Sequence, residues 1–220
     1  DRNSKAYMTW DQIRELKAAG VTIGNHTASH LSMVKATSAQ NAKELLRSNA
    51  RFLDELGSVP KLFAYPFGEY GLKLRNLIVN TGFRAAFGQH SGVLHKDADQ
   101  FFLPRFSMNE AYGGVARFRL AINALPLPVR DVMPADPLLT RTNNPPFFGF
   151  TVFGKAINGL SKLKCYAAQS RARSGRVGRS RIEVRFERPF PVGRVRINCT
   201  MPASKGRWRW YGMQFYTPSR

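Results

Sequence analysis

The chain has 220 residues, with 34 Lys and Arg against 14 Asp and Glu, and a formal net charge of +20. A hydrophobic content of 43% is typical of a globular protein and excludes a disordered chain. No apolar run is long enough for a transmembrane helix, which needs about 20 residues.

The positive charge is concentrated near the C-terminus. Residues 160–220 carry 15 basic side chains against 2 acidic ones. Such a field attracts polyanions, including acidic polysaccharide, nucleic acid and anionic lipid, but it also fits a solubilising surface. Because no recognised nucleic-acid-binding motif accompanies the charge, nucleic acid is the weaker of these candidates.

The first half of the sequence alternates helices and short strands. Capping boxes at Thr9–Gln12 and Thr37–Gln40 predict the starts of two helices, the second reaching about Leu56. The periodicity of the second helix predicts one buried face formed by Ala42, Leu45, Leu46, Asn49, Phe52, Leu53 and Leu56. Short strands are expected at 21–24, 61–65 and 84–87, and further helices at 70–80 and 110–124. This order predicts parallel βα units, with reactive residues after the carboxyl ends of the strands.

The second half changes to a period of two. Residues 126–146 hold six of the 13 prolines and are expected to form a linker or a surface wrap. After them, alternating apolar and basic residues predict antiparallel strands packed as a small β-sandwich, with the basic residues facing water. The predicted domains are therefore 1–125, an α/β domain, the linker 126–146, and the basic accessory domain 147–220.

Two histidines follow the first predicted strand, in Asn25-His26-Thr27-Ala28-Ser29-His30. A four-residue spacing can aim both imidazoles at one ion, and neutral imidazole suits zinc. Because a catalytic zinc usually takes three protein ligands, His26 and His30 alone form an incomplete site. Surface or hydrogen-bonding roles for the two histidines remain open.

The order of the motifs resembles the polysaccharide deacetylases of carbohydrate esterase family 4. The resemblance covers about residues 8–110 and rests on His-Thr-x-x-His, on Phe-Ala-Tyr-Pro-Phe-Gly after the next strand, and on the segments 82–87 and 103–106. It implies a partial (β/α) barrel of that type, an amino-sugar polysaccharide as substrate, and an extracytoplasmic location.

The resemblance also implies roles for individual residues. His26 and His30 would be two of three ligands to a divalent metal, most simply zinc, and Thr27 and Ser29 would hold their loop. The backbone N–H of Phe67 would bind the oxyanion that forms during hydrolysis. Tyr65, Pro66 and Phe67 would border the sugar.

Several features of the family pattern are missing. The sequence has no Asp-Asp pair, which in the family supplies the base and the third ligand, and Ala64 stands where an orienting arginine is expected. The late Leu-x-His motif is not recognisable. We therefore expect Asp1 to lie inside the domain, and the chain to bind metal weakly and to have little activity.

Other residues keep two interpretations each. His90 or His95 could replace the general acid, or be loop histidines without a catalytic duty. Arg105 could replace the orienting arginine or bind substrate, or form an ion pair with Asp97 or Asp99. Glu69 could bind a sugar hydroxyl or cap a helix.

The β region leaves similar alternatives. Trp208, Trp210 and Tyr211 could stack on sugar rings or bases, or pack in the core. Cys165 and Cys199 are either a disulfide or two buried thiols.

The sequence thus predicts a metal-dependent hydrolase that removes N-acetyl groups from an amino-sugar polysaccharide. The alternative is a non-catalytic cationic protein that binds acidic polysaccharide or nucleic acid.

Overall fold

The computed structural model describes residues 7–219 as a mixed α/β protein, which confirms the expected class. The α-helices are α1 (Trp10–Ala18), α2 (Ser38–Leu56), α3 (Leu72–Asn80) and α4 (Val115–Asn123). The strands are β1 (Leu62–Ala64), β2 (Ala85–Phe87), β3 (Leu125–Pro126), β4 (Val129–Met133), β5 (Phe148–Val152), β6 (Lys164–Ala167), β7 (Ala172–Val177), β8 (Arg181–Phe186), β9 (Gly193–Pro202) and β10 (Trp208–Thr217).

Both predicted capping boxes form. Thr9 accepts from the backbone of Gln12 at the start of α1, and Thr37 accepts from that of Gln40 at the start of α2. Each box satisfies amides that have no partner inside the helix. The helix α2 ends at Gly57, which adopts the left-handed conformation that glycine tolerates best.

The buried face of α2 differs from the prediction. Asn41, Leu45 and Ser48 are buried, whereas Leu46 and Leu53 are 71% and 54% exposed. The helix turns a partly polar face inward because Asn41 and Ser48 make hydrogen bonds there, to Met33 and to the histidine loop. Periodicity of apolar residues alone could not reveal that choice.

Parallel pairing organises the first half. β1 and β2 pair in parallel, and single parallel bridges join Asn25 to Phe63 and Phe87 to Leu103. The predicted strand at 21–24 is wrong, because only Asn25 pairs with a neighbour and Val21 is 46% exposed. Phe63, Tyr65 and Ile78 belong to the apolar core of this half.

The second half contains two four-stranded sheets, in the orders β3-β10-β9-β6 and β4-β5-β8-β7. Side chains from both sheets form one apolar core, among them Phe148, Val184, Ile197 and Phe215. Cys165 and Cys199 face each other across β6 and β9 and form a disulfide, which selects one of the two expected alternatives.

The proline-rich segment 126–146 takes part in these sheets. It contains β4, which pairs with β5, and Leu138 forms a bridge with Tyr216. The segment is thus paired along part of its length, and the division into three domains stays a prediction.

The aromatic residues of β10 separate by face. Tyr211 packs against Phe148 and Phe150 in the core, whereas Trp208 is 41% exposed. Trp210 donates to Asn198 Oδ1 and packs edge-on against Phe106. Among residues 7–219, no helix has the length and the apolar character needed to span a membrane.

Candidate metal and hydrolase site

The histidine loop is anchored by the buried side chain of Asn25. Its amide nitrogen donates to Ser48 Oγ at 2.9 Å and to Asn49 Oδ1 at 2.8 Å, and its oxygen accepts from the N–H of Thr27. Thr27 Oγ1 in turn accepts from the N–H of His30 at 3.1 Å. These bonds fix the loop to α2 and to its own backbone.

Glu44, on α2, completes the anchoring. One carboxylate oxygen accepts from the N–H of Ala28, from the N–H of Ser29 and from the Ser29 hydroxyl, at 2.8–3.1 Å. Hydrogen bonds to an ionised acceptor are stronger than neutral ones. The loop therefore holds Thr27 and His30 at φ values of 65° and 57°, which are uncommon for residues other than glycine.

The tautomer of His26 follows from its partner. Its Nδ1 lies 2.6 Å from the carbonyl oxygen of Ala64, at the end of β1. Because a carbonyl oxygen only accepts, Nδ1 carries the hydrogen and Nε2 keeps a free lone pair. A backbone carbonyl in this position is the usual orienting partner of a metal-binding histidine.

The electrostatics favour the neutral ring that a metal requires. Partial burial lowers the pKa of His26; the bond to Ala64 opposes this, and the nearby His30 and Arg105 lower the pKa further. The centroids of the His26 and His30 rings are 4.7 Å apart. The two imidazoles are thus close enough to face a common ion.

A third ligand is not found within residues 7–219. No group of three or more His, Cys, Asp and Glu residues in that range could hold a metal ion. Two imidazoles, one of them with a defined free nitrogen, fit two of the three positions of a catalytic zinc. The described residues therefore supply two of the ligands that a catalytic zinc needs and lack the third.

The proline motif forms a tight turn beside this loop. Pro66–Gly68 is a short 3₁₀ segment in which Phe67 has a φ of 59°. The Phe67 ring lies edge-on to His30, with centroids 4.4 Å apart. Pro66 is buried beneath the turn.

Tyr65 lies in the core and not on a surface that could border a sugar. It is 1% exposed, its hydroxyl donates to the carbonyl oxygen of Phe101, and burial raises its pKa. Of the residues expected to border the sugar, Phe67 is the one with a partly exposed side chain.

Arg105 approaches the site from the segment after β2. Its Nε donates to the carbonyl oxygen of Gly88 at 3.1 Å. Asp99 pairs with Arg75 at 2.8 Å, and neither Asp97 nor Asp99 pairs with Arg105 in the described part of the chain. Arg105 is near enough to His26 for its charge to help lower the pKa of that histidine.

His90 lies in a different environment. It is 4% exposed, its ring packs on Phe102, and burial lowers its pKa to about 3, helped by the charge of Arg196. It lines a cavity of about 190 Å³ whose lining includes neither His26 nor His30. With that pKa the ring is neutral at physiological pH and lacks the second N–H proton that an imidazolium would give as a general acid. His95 lines the same cavity.

Strands of the second half contact the turn. Gln214, on β10, donates to the carbonyl oxygens of Phe67 and Gly68 at 3.1 and 2.8 Å and accepts from Arg196 Nε. Arg194, on β9, lies over the Phe67 ring at 5.1 Å. Sequence reasoning missed these residues, because pairing across 146 residues of chain leaves no local pattern. It also missed Asn25 and Glu44, although Asn25 stands directly before the histidine motif.

Comparison with known proteins points to one family. Residues 1–86 match the family model for polysaccharide deacetylases. YxkH of Bacillus subtilis, which its name assigns to the polysaccharide deacetylases, is 24% identical over 112 residues, which are 51% of this chain and 40% of that protein. The chain therefore spans less than half the length of this curated relative.

Two solved structures are similar to part of this chain, each with a TM-score below 0.5. The Streptococcus pyogenes deacetylase PplD, solved in complex with acetate, has a TM-score of 0.45 and 21% identity, over 47% of this chain and 46% of that one. A de-N-acetylase from Aggregatibacter actinomycetemcomitans has a TM-score of 0.44 and 18% identity, over 51% of this chain and 52% of that one.

Proposed function

We propose, from the match of residues 1–86 to the family model for polysaccharide deacetylases, that the protein hydrolyses N-acetyl groups of an amino-sugar polysaccharide with the help of a divalent metal. The substrate is an oligomer or polymer of N-acetylated sugars, and the products are acetate and a free amine. A deacetylase of this kind would act outside the cytoplasm, which the Cys165–Cys199 disulfide favours.

His26 and His30 would hold the metal. When bound, a zinc-like ion supplies an activated water and polarises the amide carbonyl. The chain's own part is to present two neutral imidazoles: the Ala64 carbonyl fixes His26, and Asn25 and Glu44 hold the loop that carries His30. Since residues 7–219 supply two ligands, we propose that this chain by itself binds the metal weakly.

The Phe67 turn would bind the reacting carbonyl. In this proposal the N–H of Phe67 donates to the oxyanion of the tetrahedral intermediate, and the Phe67 ring borders the sugar. Ala64 offers no side chain that could orient a base, so the base would lack that support. A partial (β/α) barrel would place the loop and the turn side by side at the carboxyl ends of their strands.

The hydrogen bond between His26 Nδ1 and the Ala64 carbonyl is the observation that carries this proposal. It leaves Nε2 with a free lone pair, and the ring of a second imidazole, that of His30, lies 4.7 Å away between centroids. Both histidines are exposed, so an ion from solvent can reach them.

Two measurements test the proposal. Zinc titration of the 220-residue chain should show weak binding that His26→Ala abolishes, while Lys43→Ala, on the exposed side of α2, leaves it unchanged. The natural protein, meaning the protein as the cell produces it, should release acetate from chitin oligosaccharides. His26→Ala should abolish that release. Full turnover by His26→Ala would contradict the metal assignment, and stoichiometric tight zinc in the chain would contradict the two-ligand argument.

A second candidate is a cationic protein that binds polyanions without catalysis. The observation in its favour is the exposed basic strand β7, where Arg176 has no carboxylate partner within the described residues. Steeply salt-dependent binding to acidic polysaccharide, together with no acetate release by the natural protein, would select this function.

A further inference from the structure

Strands β9 and β10 turn one face toward the α/β half. Arg194 and Arg196 alternate with core residues on β9, and their cross-strand partners on β10 are Tyr216 and Gln214. The two halves are in close contact there: a Cβ on Gly212 would lie 2.0 Å from the carbonyl oxygen of Ser91. The packing of β9 and β10 on the α/β half therefore places Arg194 and Arg196 at the edge of the candidate site.

Arg105 joins them from the other half. Its guanidinium bonds to Gly88, and that of Arg196 bonds to the next residue, Gln89, at 3.1 Å. Arg194 and Arg105 both contribute to lowering the pKa of Arg196, after the larger effect of burial. We call Arg105, Arg194 and Arg196 the arginine triad.

The charge of the triad is poorly compensated. Arg196 donates to the neutral amide oxygens of Gln214 and Gln89, and Arg105 donates to a backbone carbonyl. Arg194 has one carboxylate near it, Glu69 Oε1 at 3.8 Å, and Glu69 also accepts from Ser32. Three cations therefore share one carboxylate within residues 7–219.

The triad borders the histidine loop. The Phe67 ring lies between Arg194, at 5.1 Å, and His30, at 4.4 Å, and Arg105 is close enough to His26 to lower its pKa. Guanidinium groups offer paired donors that match the two oxygens of a carboxylate, and an aromatic ring offers a face to a sugar. These groups stand one beside the other at the rim of the site.

We propose that the arginine triad is a subsite for a carboxylate-bearing sugar, and that the substrate is an acidic polysaccharide in which uronic acids neighbour N-acetylated amino sugars. This inference rests on the proposed deacetylase function, because it places the uronic acid next to the sugar that occupies the histidine site. It assigns the β half a direct part in substrate recognition.

Binding of two oligosaccharides to the 220-residue chain tests the subsite. A hyaluronan hexasaccharide alternates glucuronate with N-acetylglucosamine, and a chitin hexasaccharide holds N-acetylglucosamine alone. Calorimetric titration should show that the first binds about tenfold more tightly at physiological salt. Arg194→Gln and Arg105→Gln should each reduce that preference about fivefold. Arg194→Lys keeps the positive charge but lacks the paired N–H donors of a guanidinium, so it should reduce the preference less.

Arg176→Gln is the matched control. Arg176 lies on β7, in the other sheet, and is exposed. An equal loss in Arg176→Gln would mean general attraction of polyanions and would overturn the subsite. So would equal affinity for the two oligosaccharides, or no binding of either. If Arg194→Gln does not fold, as judged by circular dichroism, Arg105→Gln and Arg194→Lys decide the question.

The outcome is separable from that of the proposed function. Preferential binding of the acidic oligosaccharide without acetate release by the natural protein would retain the subsite and refute the hydrolase. Acetate release from chitin oligosaccharides, with no preference for binding the acidic oligosaccharide, would support the hydrolase and refute the subsite.

Discussion

The side-chain nitrogen of Gln214 lies 3.1 Å from the carbonyl oxygen of Phe67, although the two residues are 147 positions apart in the sequence. The same nitrogen donates to Gly68 at 2.8 Å, and Gln214 is 3% exposed. A strand of the β half thus satisfies two carbonyls of the turn that is proposed to bind the oxyanion, so both halves contribute to the structure of the candidate site.

Gln214→Leu should destabilise the protein. The substitution removes the side-chain amide that donates to both carbonyls and leaves the buried bond to Gly68 and the part-buried bond to Phe67 unmade. The free energy of unfolding should therefore fall by about 1–3 kcal/mol. Urea denaturation measures the change. Gln169→Leu, at an exposed turn after β6, should shift it by less than about 0.5 kcal/mol. Equal effects of the two variants would contradict the proposed support.

Gly68→Ala tests how closely the turn is packed. Gly68 has a φ of +67°, and an added Cβ would lie 2.5 Å from the backbone nitrogen of Gln89. Gly178→Ala isolates the conformational part, because Gly178 has a φ of +57° and nothing within 4 Å. We expect about 1 kcal/mol of destabilisation for Gly178→Ala, and a clearly larger loss for Gly68→Ala, measured by thermal and urea unfolding. Similar losses would show that the Gln89 segment can move away.

The local features of the chain were predictable from the sequence, whereas the contacts between distant segments were not. Capping boxes predicted the starts of α1 and α2 because the paired residues lie three positions apart. Alternating apolar residues predicted antiparallel strands in the second half because the period of two is itself a local pattern. The expected strand at 21–24 failed because pairing depends on a neighbouring strand, and only Asn25 has one.

The candidate site divides in the same way. The histidine and proline motifs are contiguous, so the sequence could single out His26, His30 and the Phe67 turn as candidates. Gln214 and Arg194 reach that turn through the packing of β9 and β10 on the α/β half, which no local pattern encodes. Tyr65 was misplaced at the sugar because a strand-end tyrosine looks the same whether it faces the groove or the core.

Glu44→Gln should loosen the histidine loop without removing a candidate ligand. A neutral amide oxygen accepts from Ala28 and Ser29 more weakly than a carboxylate does. We expect zinc affinity to fall about threefold to tenfold, equivalent to roughly 0.7–1.4 kcal/mol, because His30 is then held less firmly. Calorimetric titration with zinc measures it. Lys43→Gln, one residue earlier on α2, serves as the control, and an unchanged affinity in Glu44→Gln would refute the positioning role.

His90 should make the protein sensitive to mild acid. Its pKa is lowered from 6.5 to about 3 by burial, so between these values the unfolded chain binds a proton that the folded chain does not. Stability is therefore retained above about pH 6.5 and is lost as the pH falls toward 3, with a slope of at most about 1.4 kcal/mol per pH unit from this group.

His90→Phe should flatten that dependence, since the replacement keeps the contact with Phe102 and removes the titrating ring. Urea unfolding of both proteins from pH 7 to pH 4 measures the two slopes. His30→Gln, in the histidine loop, controls for the loss of any histidine. An equally steep slope in His90→Phe would show that other groups, chiefly paired carboxylates such as Asp99, govern the acid response.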